Sequence, residues 1–416
     1  MLKRIHLQNV GPASELEVNF SDRLNIFTGD NGLGKTFLLD IAWWILGHEN
    51  YLPLPKKPSE GRSAIDFELT EHDSPEISRN RVDFVPQQQI WFGVRRPAMW
   101  PDIQLGIYAK ADGSFSIFDS LRTIPSRSFE TSDMSSLSFS TKDLWNGLRL
   151  DDVMFCNGLV SDWVRWQNHP DRTTFNLFWN VIKALFPAEE QPIESGTVRL
   201  SLQDIRDIPT IQLSYGQVPI THLSAGMKRI ISLAYSLVWT WYEHQQAATL
   251  VGISSSKKLM LFIDEMEVHL HPQWQRSIFP AILEAIQLLS PDLQVQVLTT
   301  THSPLVLASL EPFFDKTVDT LFGLEVVDQH IALQEFSWTK LGDVDNWLTS
   351  PIFGLSRPRS KPAEIAINAA YALMRNADMT PFPNLQTQDQ IHHELIRTLP
   401  DDDPFWHRWI VTAEAV

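Results

Sequence analysis

One stretch restricts the fold of this chain more than any other: GDNGLGKT at 29–36, with LNIFT before it at 24–28 and FLLDIAWWIL after it at 37–46. It fits G-x-x-x-x-G-K-S/T, a loop whose backbone N–H groups form a nest for phosphate oxygens, ahead of a helix whose positive end faces the same anion. Gly29, Gly32 and Gly34 let that backbone come close, and Asp30, Asn31 and Leu33 complete the loop before Lys35, Thr36 and Phe37 open the helix. Lys35 supplies a point charge for the terminal phosphates, and the Thr36 hydroxyl is placed to ligate Mg²⁺. LNIFT reads as a short buried strand. The unit is therefore strand, loop, helix, the building block of an α/β fold with a parallel sheet.

Three further motifs follow in chain order: LSAGMKR at 223–229, LMLFIDE at 259–265 and TTTHSP at 299–304. LMLFI is a five-residue apolar run, read as a strand buried on both faces of a parallel sheet. It delivers Asp264 and Glu265 to its carboxyl end, where such sheets bind ligands. There Asp264 is expected to hold Mg²⁺, directly or through water, and Glu265 to orient and deprotonate an attacking water. His302 follows the apolar strand VQVLTT.

Ser224, Ala225 and Gly226, ahead of the helical run MKRIISLAYSLVW, resemble the signature motif of ABC-type ATPases, and His302 resembles their switch histidine. The resemblance implies an ABC-type nucleotide-binding domain with an antiparallel β-subdomain and a helical subdomain, using ATP and Mg²⁺. In that family the signature of one subunit contacts the γ-phosphate held by the other, so a homodimer or higher homo-oligomer around ATP is implied. IDEMEVHLHP, with His269, His271 and Pro272, resembles soluble SMC/RecF-like heads and OLD-type ATPases, as does the opening LKRIHLQNVGPASELEVNF. NGLVSDWVRWQ at 157–167, TTHSPLVLASLEP, NWLTSPIFGLSRPRS and DPFWHRW resemble the ATPase subunits of two-gene bacterial antiphage systems of the Septu type.

The chain departs from the signature pattern twice. Ala225 stands where Gly is usual, which is tolerable if the local torsions stay negative, and Met227 stands where Gln is usual, so that position carries no role. A Q-loop glutamine is not evident; Gln87 to Gln89 and Gln167 are the candidates.

At 416 residues the chain exceeds the usual single core. The expected division is an ATP-binding core over 1–60 and 195–345, a β-subdomain over 61–150, a helical segment over 151–194 and a C-terminal helical segment over 346–416. IYAKADGSFSIF at 107–118 is the clearest hairpin, turning at Asp112-Gly113, and is assigned to the β-subdomain. The Ser/Thr-rich stretch 120–142 reads as a loop or lid, or equally as a disordered linker, and no heptad arms interrupt the region. Trp163, Trp166, Trp179, Trp239 and Trp241 read as core packing, and His392, His393 and Glu394 as helix neighbours that face different ways. Cys156 is the single cysteine, which excludes an internal disulfide, and with no apolar leader it points to the cytoplasm. No apolar run is long enough to cross a bilayer. The formal net charge of −16 disfavours non-specific DNA binding, leaving Arg357, Arg359 and Lys361, and the pair Arg95 and Arg96, as the local basic clusters.

The reading is a Mg²⁺-dependent ABC-type ATPase acting as sensor or regulator of a separate effector in antiphage defence. OLD-type relatives carry their own nuclease after the switch histidine. No such pattern is seen here, since Asp401 to Asp403 lie too near the terminus to end a core strand. The Septu resemblance implies an HNH-type nuclease as partner. The alternatives are a DNA-repair or recombination head that clamps DNA and a non-catalytic nucleotide-gated scaffold, against which an intact Glu265 argues.

Overall fold

The structure, a computed structural model, describes residues 1–47, 62–70, 77–87, 90–93, 105–122, 136–328 and 330–413. It divides into two units, Met1–Gly342 and Asp343–Val416.

In the first unit, β1 (Leu2–Val10) and β2 (Ala13–Asn19) form an antiparallel pair whose buried residues are interspersed with partly or fully exposed ones. β3 (Leu24–Gly29) is instead buried along nearly its whole length, as its apolar run requires, and leads through the phosphate loop into α1 (Lys35–Gly47). β4 (Ala64–Thr70), β5 (Ile77–Val85) and β6 (Ile90–Gly93) then add to β1, giving an antiparallel sheet in the order β2-β1-β4-β5-β6. The chain next forms β7 (Leu105–Ala109), β8 (Phe115–Asp119), β9 (Leu137–Phe139), α2 (Thr141–Asn146), and the hairpin of β10 (Leu148–Leu150) and β11 (Val153–Cys156). Helices α3 (Leu159–Asn168) and α4 (Thr173–Leu185) follow, then a small sheet of β12 (Glu194–Val198), β13 (Ile208–Leu213) and β14 (Gly216–Pro219). The 27-residue α5 (Ala225–Val251) leads to β15 (Lys258–Ile263), α6 (Pro272–Gln275), α7 (Ile278–Leu289), β16 (Gln294–Thr300), α8 (Pro304–Leu310), β17 (Asp319–Val327) and β18 (His330–Phe336).

The large sheet runs β18-β17-β3-β16-β15-β7-β8-β9, with β17, β3, β16, β15 and β7 mutually parallel. The α/β class expected from the motifs is thus what the chain forms. α1 is apolar on all sides because it lies between the two sheets. Trp43 meets Tyr108 and Phe262 of the large sheet at ring distances of 5.7 and 5.3 Å, while Trp44 meets Trp91 of the antiparallel sheet at 6.1 Å. Phe27 stacks on Phe322 at 5.0 Å in the same core.

Two expectations need correction. The hairpin turning at Asp112-Gly113 exists, but β7 pairs in parallel with β15, so the hairpin belongs to the large sheet rather than to the antiparallel one. The reason is burial: all five residues of β7 are buried, which suits an interior parallel strand and not a half-exposed one. The antiparallel sheet draws β1 and β2 from the first twenty residues instead. The stretch 120–142 is not all loop either, since β9 and the start of α2 lie within it; residues 123–135 of it, and Arg95 and Arg96, lie outside the described residues.

α3 and α4 pack their aromatics against α5, with Trp163 and Trp166 edge-on to Phe178 and Trp166 tilted on Tyr235. Beneath them lies a buried polar network: the Tyr235 hydroxyl donates to Asp162 at 2.7 Å, and Asn157 and Arg165 also reach that carboxylate. Cys156 Sγ lies 3.2 Å from the same hydroxyl.

The second unit contains α9 (Val344–Leu348), α10 (Lys361–Met374), α11 (Gln388–Thr398) and α12 (Phe405–Ala413). The alanine-rich face of α10 (Ala363, Ala366, Ala370) admits Ile391 and Leu395 of α11 and Phe405 and Trp409 of α12 into one core. Among the basic residues before α10, Arg359 pairs with buried Asp403, Lys361 lies 3.3 Å from Glu364, and Arg357 lies over the Tyr371 ring at 5.2 Å. His392 accepts from Trp409 Nε1 while His393 turns toward the Asp389 carbonyl, so the two imidazoles do face apart.

Burial pushes the Cys156 thiol up to about 11. At pH 8 only about one thiol in a thousand is then ionised, so a disulfide reagent should label the folded protein orders of magnitude more slowly than free cysteine. Labelling followed with and without denaturant checks this; equal rates would contradict the burial.

Candidate functional site

β3, β16 and β15 are adjacent parallel strands, so the loops that leave their carboxyl ends share one edge of the sheet. Those loops carry 29–36, 264–271 and 301–303. The phosphate loop needs glycine most clearly at its first position, where φ is +129° and a Cβ would stand 2.3 Å from the Leu324 carbonyl. Gly32 and Gly34 also take positive φ. Lys35 is folded over this loop, its Nζ donating to the Gly29 and Asp30 carbonyls at 2.8 Å each. Burial lowers the pKa of Lys35, against the pull of Glu265, Asp264, Asp30 and Glu267, which raise it.

Thr36 and Asp264 meet: the hydroxyl donates to the two carboxylate oxygens at 3.2 and 3.0 Å. Thr300, at the end of β16, locks the same carboxylate by donating to Oδ1 at 2.6 Å, and accepts from the Glu265 amide at 3.0 Å. Tyr108 on β7 donates to Asp40 on α1 at 3.0 Å, fixing the helix to the sheet beside the site.

Glu265 has φ of +47°, a left-handed conformation that few non-glycine residues adopt. His302 Nε2 lies 3.1 Å from Glu265 Oε1, within ion-pair distance, yet out of line for a hydrogen bond, so this nitrogen remains unsatisfied. Glu267 holds the segment around His302 from behind: its Oε1 accepts from the Thr301 hydroxyl at 2.6 Å and the His302 amide at 2.7 Å, while its buried Oε2 has no partner.

The motif at 223–229 joins the site from the side. Ser224 caps α5 by accepting from the Met227 amide at 3.3 Å, and Ser224 and Ala225 are exposed while Gly226 is buried. Ala225 begins the helix without a positive φ, as its extra methyl requires. Gly226 packs against the turn after β15, where a Cβ would come 2.8 Å from the His269 carbonyl. Arg229, one turn further, donates to the Asp264 and Glu265 carbonyls at 3.0 and 3.1 Å.

This edge fits a nucleotide phosphate and a hard cation. Thr36 and Asp264 offer oxygen ligands only, the set that Mg²⁺ prefers. The Gly29 backbone stands where a side chain would intrude, and the orphaned buried atoms Thr28 Oγ1, Glu267 Oε2 and His302 Nε2 are those of residues in or beside the site loops.

Sequence reasoning missed Glu267, Thr300 and Arg229. Each carries a faint signal: a second acidic residue two places past Glu265, a polar threonine run closing an apolar strand, and a cation interrupting an apolar helix. Among the described residues, the Q-loop candidates do not gather here. Gln87 is exposed in the turn after β5, Gln88 and Gln89 lie outside the described residues, and Gln167 bonds Ser195.

Fold and site together define an α/β P-loop domain of the ATPase class, with its phosphate loop at the carboxyl edge of a parallel sheet. The chain belongs to the family described as "AAA domain, putative AbiEii toxin, Type IV TA system", whose profile matches residues 24–308. It is similar to the Septu protein PtuA of Bacillus thuringiensis, 26% identical over 312 residues, which cover 73% of this chain and 72% of that one. A second Septu protein PtuA, from Bacillus mycoides strain KBAB4, is 29% identical over 169 residues, covering 41% of this chain and 21% of that protein. Among solved structures, the SMC head domain from Thermotoga maritima aligns over 81% of this chain and 99% of its own at 16% identity, with a TM-score of 0.40. The Septu-type resemblance expected from the motifs is borne out at this level. No helix among the described residues is long and apolar enough to cross a membrane.

Proposed function

We propose that this chain binds ATP with Mg²⁺, dimerises around it and hydrolyses it, and that its nucleotide state controls a separate effector nuclease, of the HNH type, in cytoplasmic antiphage defence. The observation that carries the chemistry is the convergence of Lys35, Thr36, Asp264, Glu265 and His302 from three loops onto one sheet edge. The similarity to the Septu protein PtuA supports the defence role, and the motif at 223–229 supports the dimer.

Lys35 exchanges its two carbonyl acceptors for phosphate oxygens when the loop fills, which offsets part of the cost of burying its charge. Thr36 and Asp264 would hold the Mg²⁺, which would supply charge neutralisation on the phosphates. Glu265 accepts the proton of a water attacking the terminal phosphorus as the bond to the ADP oxygen breaks. His302 Nε2, 3.1 Å from that carboxylate and without a hydrogen bond, faces the same reaction centre. Ser224 and Gly226 face the nucleotide of the second subunit. A DNA-clamping head is less well supported, because Arg359 and Lys361 already have carboxylate partners.

Glu265→Gln should lower ATP turnover by about 10²–10⁴ with nucleotide still bound, the usual worth of a positioned base. Lys35→Ala should weaken binding itself. Affinity and turnover measured on both variants decide the matter, and near-normal turnover in Glu265→Gln would remove the assignment.

For assembly, an inactive Lys35→Ala chain mixed with an inactive Ser224→Arg chain should recover hydrolysis at one of the two hybrid sites. Silence in every mixture, with a monomer in ATP by light scattering, would count against the sandwich.

For the effector, the purified chain should leave plasmid DNA uncut with Mg²⁺ or Mn²⁺, and should form a complex with the product of the neighbouring gene whose nuclease activity follows nucleotide state. Metal-dependent cleavage by this chain alone, lost on changing Asp401 to Asp403 but kept in Lys35→Ala, would place the effector within it.

A further inference from the structure

Arg229 is 8% exposed and lies one turn into α5, just past Ser224 to Gly226. Its guanidinium donates to four main-chain carbonyls on two loops. Two belong to the turn between β7 and β8, Ala111 at 2.8 Å and Lys110 at 3.3 Å; two belong to the segment after β15, Asp264 at 3.0 Å and Glu265 at 3.1 Å. Its acceptors are thus all backbone oxygens, while Glu267, Asp264, Glu265 and Asp112 supply the negative charge around it.

The segment so held is strained, since Glu265 at φ +47° and His269 at φ +68° are both left-handed without being glycine. Such a turn persists only when its surroundings over-determine it. The Thr300 hydroxyl fixes the Glu265 amide, and Arg229 fixes the Glu265 carbonyl. A second contact joins the same two segments, because Gly226 lies directly against the His269 carbonyl. The start of α5 and the carboxylate turn are therefore pinned at two places.

We infer that Arg229 is a positioning residue that makes the first turns of α5 and the Asp264–Glu265 turn move as one piece, so that docking of Ser224 to Gly226 on one nucleotide sets the general base at the other. The inference rests on the ATP-sandwich reading above. It gives each chain a direct route from the site it completes in its partner to the site it holds itself. Lysine cannot replace arginine in this role: three donors radiating from one nitrogen do not span carbonyls on two loops as a planar guanidinium does.

The test uses the full chain with Arg229→Lys and Arg229→Gln, following ATP turnover against concentration, binding of a non-hydrolysable ATP analogue, and thermal melting. Analogue affinity should stay within about threefold of wild type while kcat falls about 10²-fold, the scale expected when a reacting group is misplaced by an ångström or so. The Hill coefficient should drop from about 2 towards about 1 as the two sites uncouple. Wild-type kcat and cooperativity in both variants would overturn the link, as would loss of analogue binding in proportion to kcat. Should neither variant fold, hydrogen exchange on the wild type reads the same link: amides of 264–269 should slow when the analogue is added and should not in Ser224→Arg. Equal slowing in both would overturn it. A wild-type chain that is monomeric in ATP or fails to hydrolyse it overturns the underlying reading instead, and is seen before any Arg229 variant is made.

Discussion

Two cations held out of water organise this molecule. Lys35 is 4% exposed and Arg229 8%, and burial lowers the pKa of both, while Asp264, Glu265 and Glu267 pull the other way. Each buried charge is costly to desolvate, and the cost is offset only where hydrogen bonds and opposite charges are in place together. Here those requirements are met by backbone carbonyls from the phosphate loop, the β7–β8 turn and the segment after β15. Satisfying the cations therefore fixes the relative positions of the loops. The site is an outcome of charge burial as much as of strand order.

The hydrophobic layers place this charged edge. α1 starts at Lys35 and is gripped on both sides, by Phe262 and Tyr108 of one sheet and Trp91 of the other, so its amino end cannot drift from the carboxyl ends of β3 and β15. At the site, the left-handed residues fall where β15 ends. Glu265 and His269 lie just beyond β15, in a segment tied down by Thr300, Arg229 and Gly226 as well as by the buried side chains of Met266 and Leu270.

What could be read in the residues divides along a physical line. β3, β15 and β16 were readable because a strand buried on both faces must be apolar along its length, and α1 because its loop announces it. The hairpin at Asp112-Gly113 was readable as a local turn, but not its sheet: its partner β15 lies some 150 residues on, and pairing across that distance leaves no local trace. Burial of a polar group is equally silent. Glu267 looks like any surface acid until Thr301 and His302 are folded against it. DPFWHRW shows the converse, for an aromatic-rich segment read as burying against its own domain does so: Phe405 and Trp409 fill the core that α10 lines with alanines.

The electrostatics of the edge also constrain how an anion can enter it. Asp264, Glu265 and Glu267 act on both cations there, with Asp30 and Asp112 beside them, in a chain of net charge −16, so a triphosphate would approach a surface with no excess of positive side chains. Attraction must come from groups that a charge count omits. The N–H nest of residues 29–34 and the positive end of α1 supply part of it. Thr36 and Asp264 supply the rest indirectly, as an oxygen pair that already meets at 3.0 Å and favours a divalent cation beside the phosphates. A nucleotide without its metal would add negative charge next to Asp264 and Glu265 and gain little from Lys35, whose Nζ is occupied by two carbonyls. On this argument the edge would favour a metal–nucleotide pair over either alone, and under the proposed chemistry the carboxylates that complicate entry are the ones used afterwards.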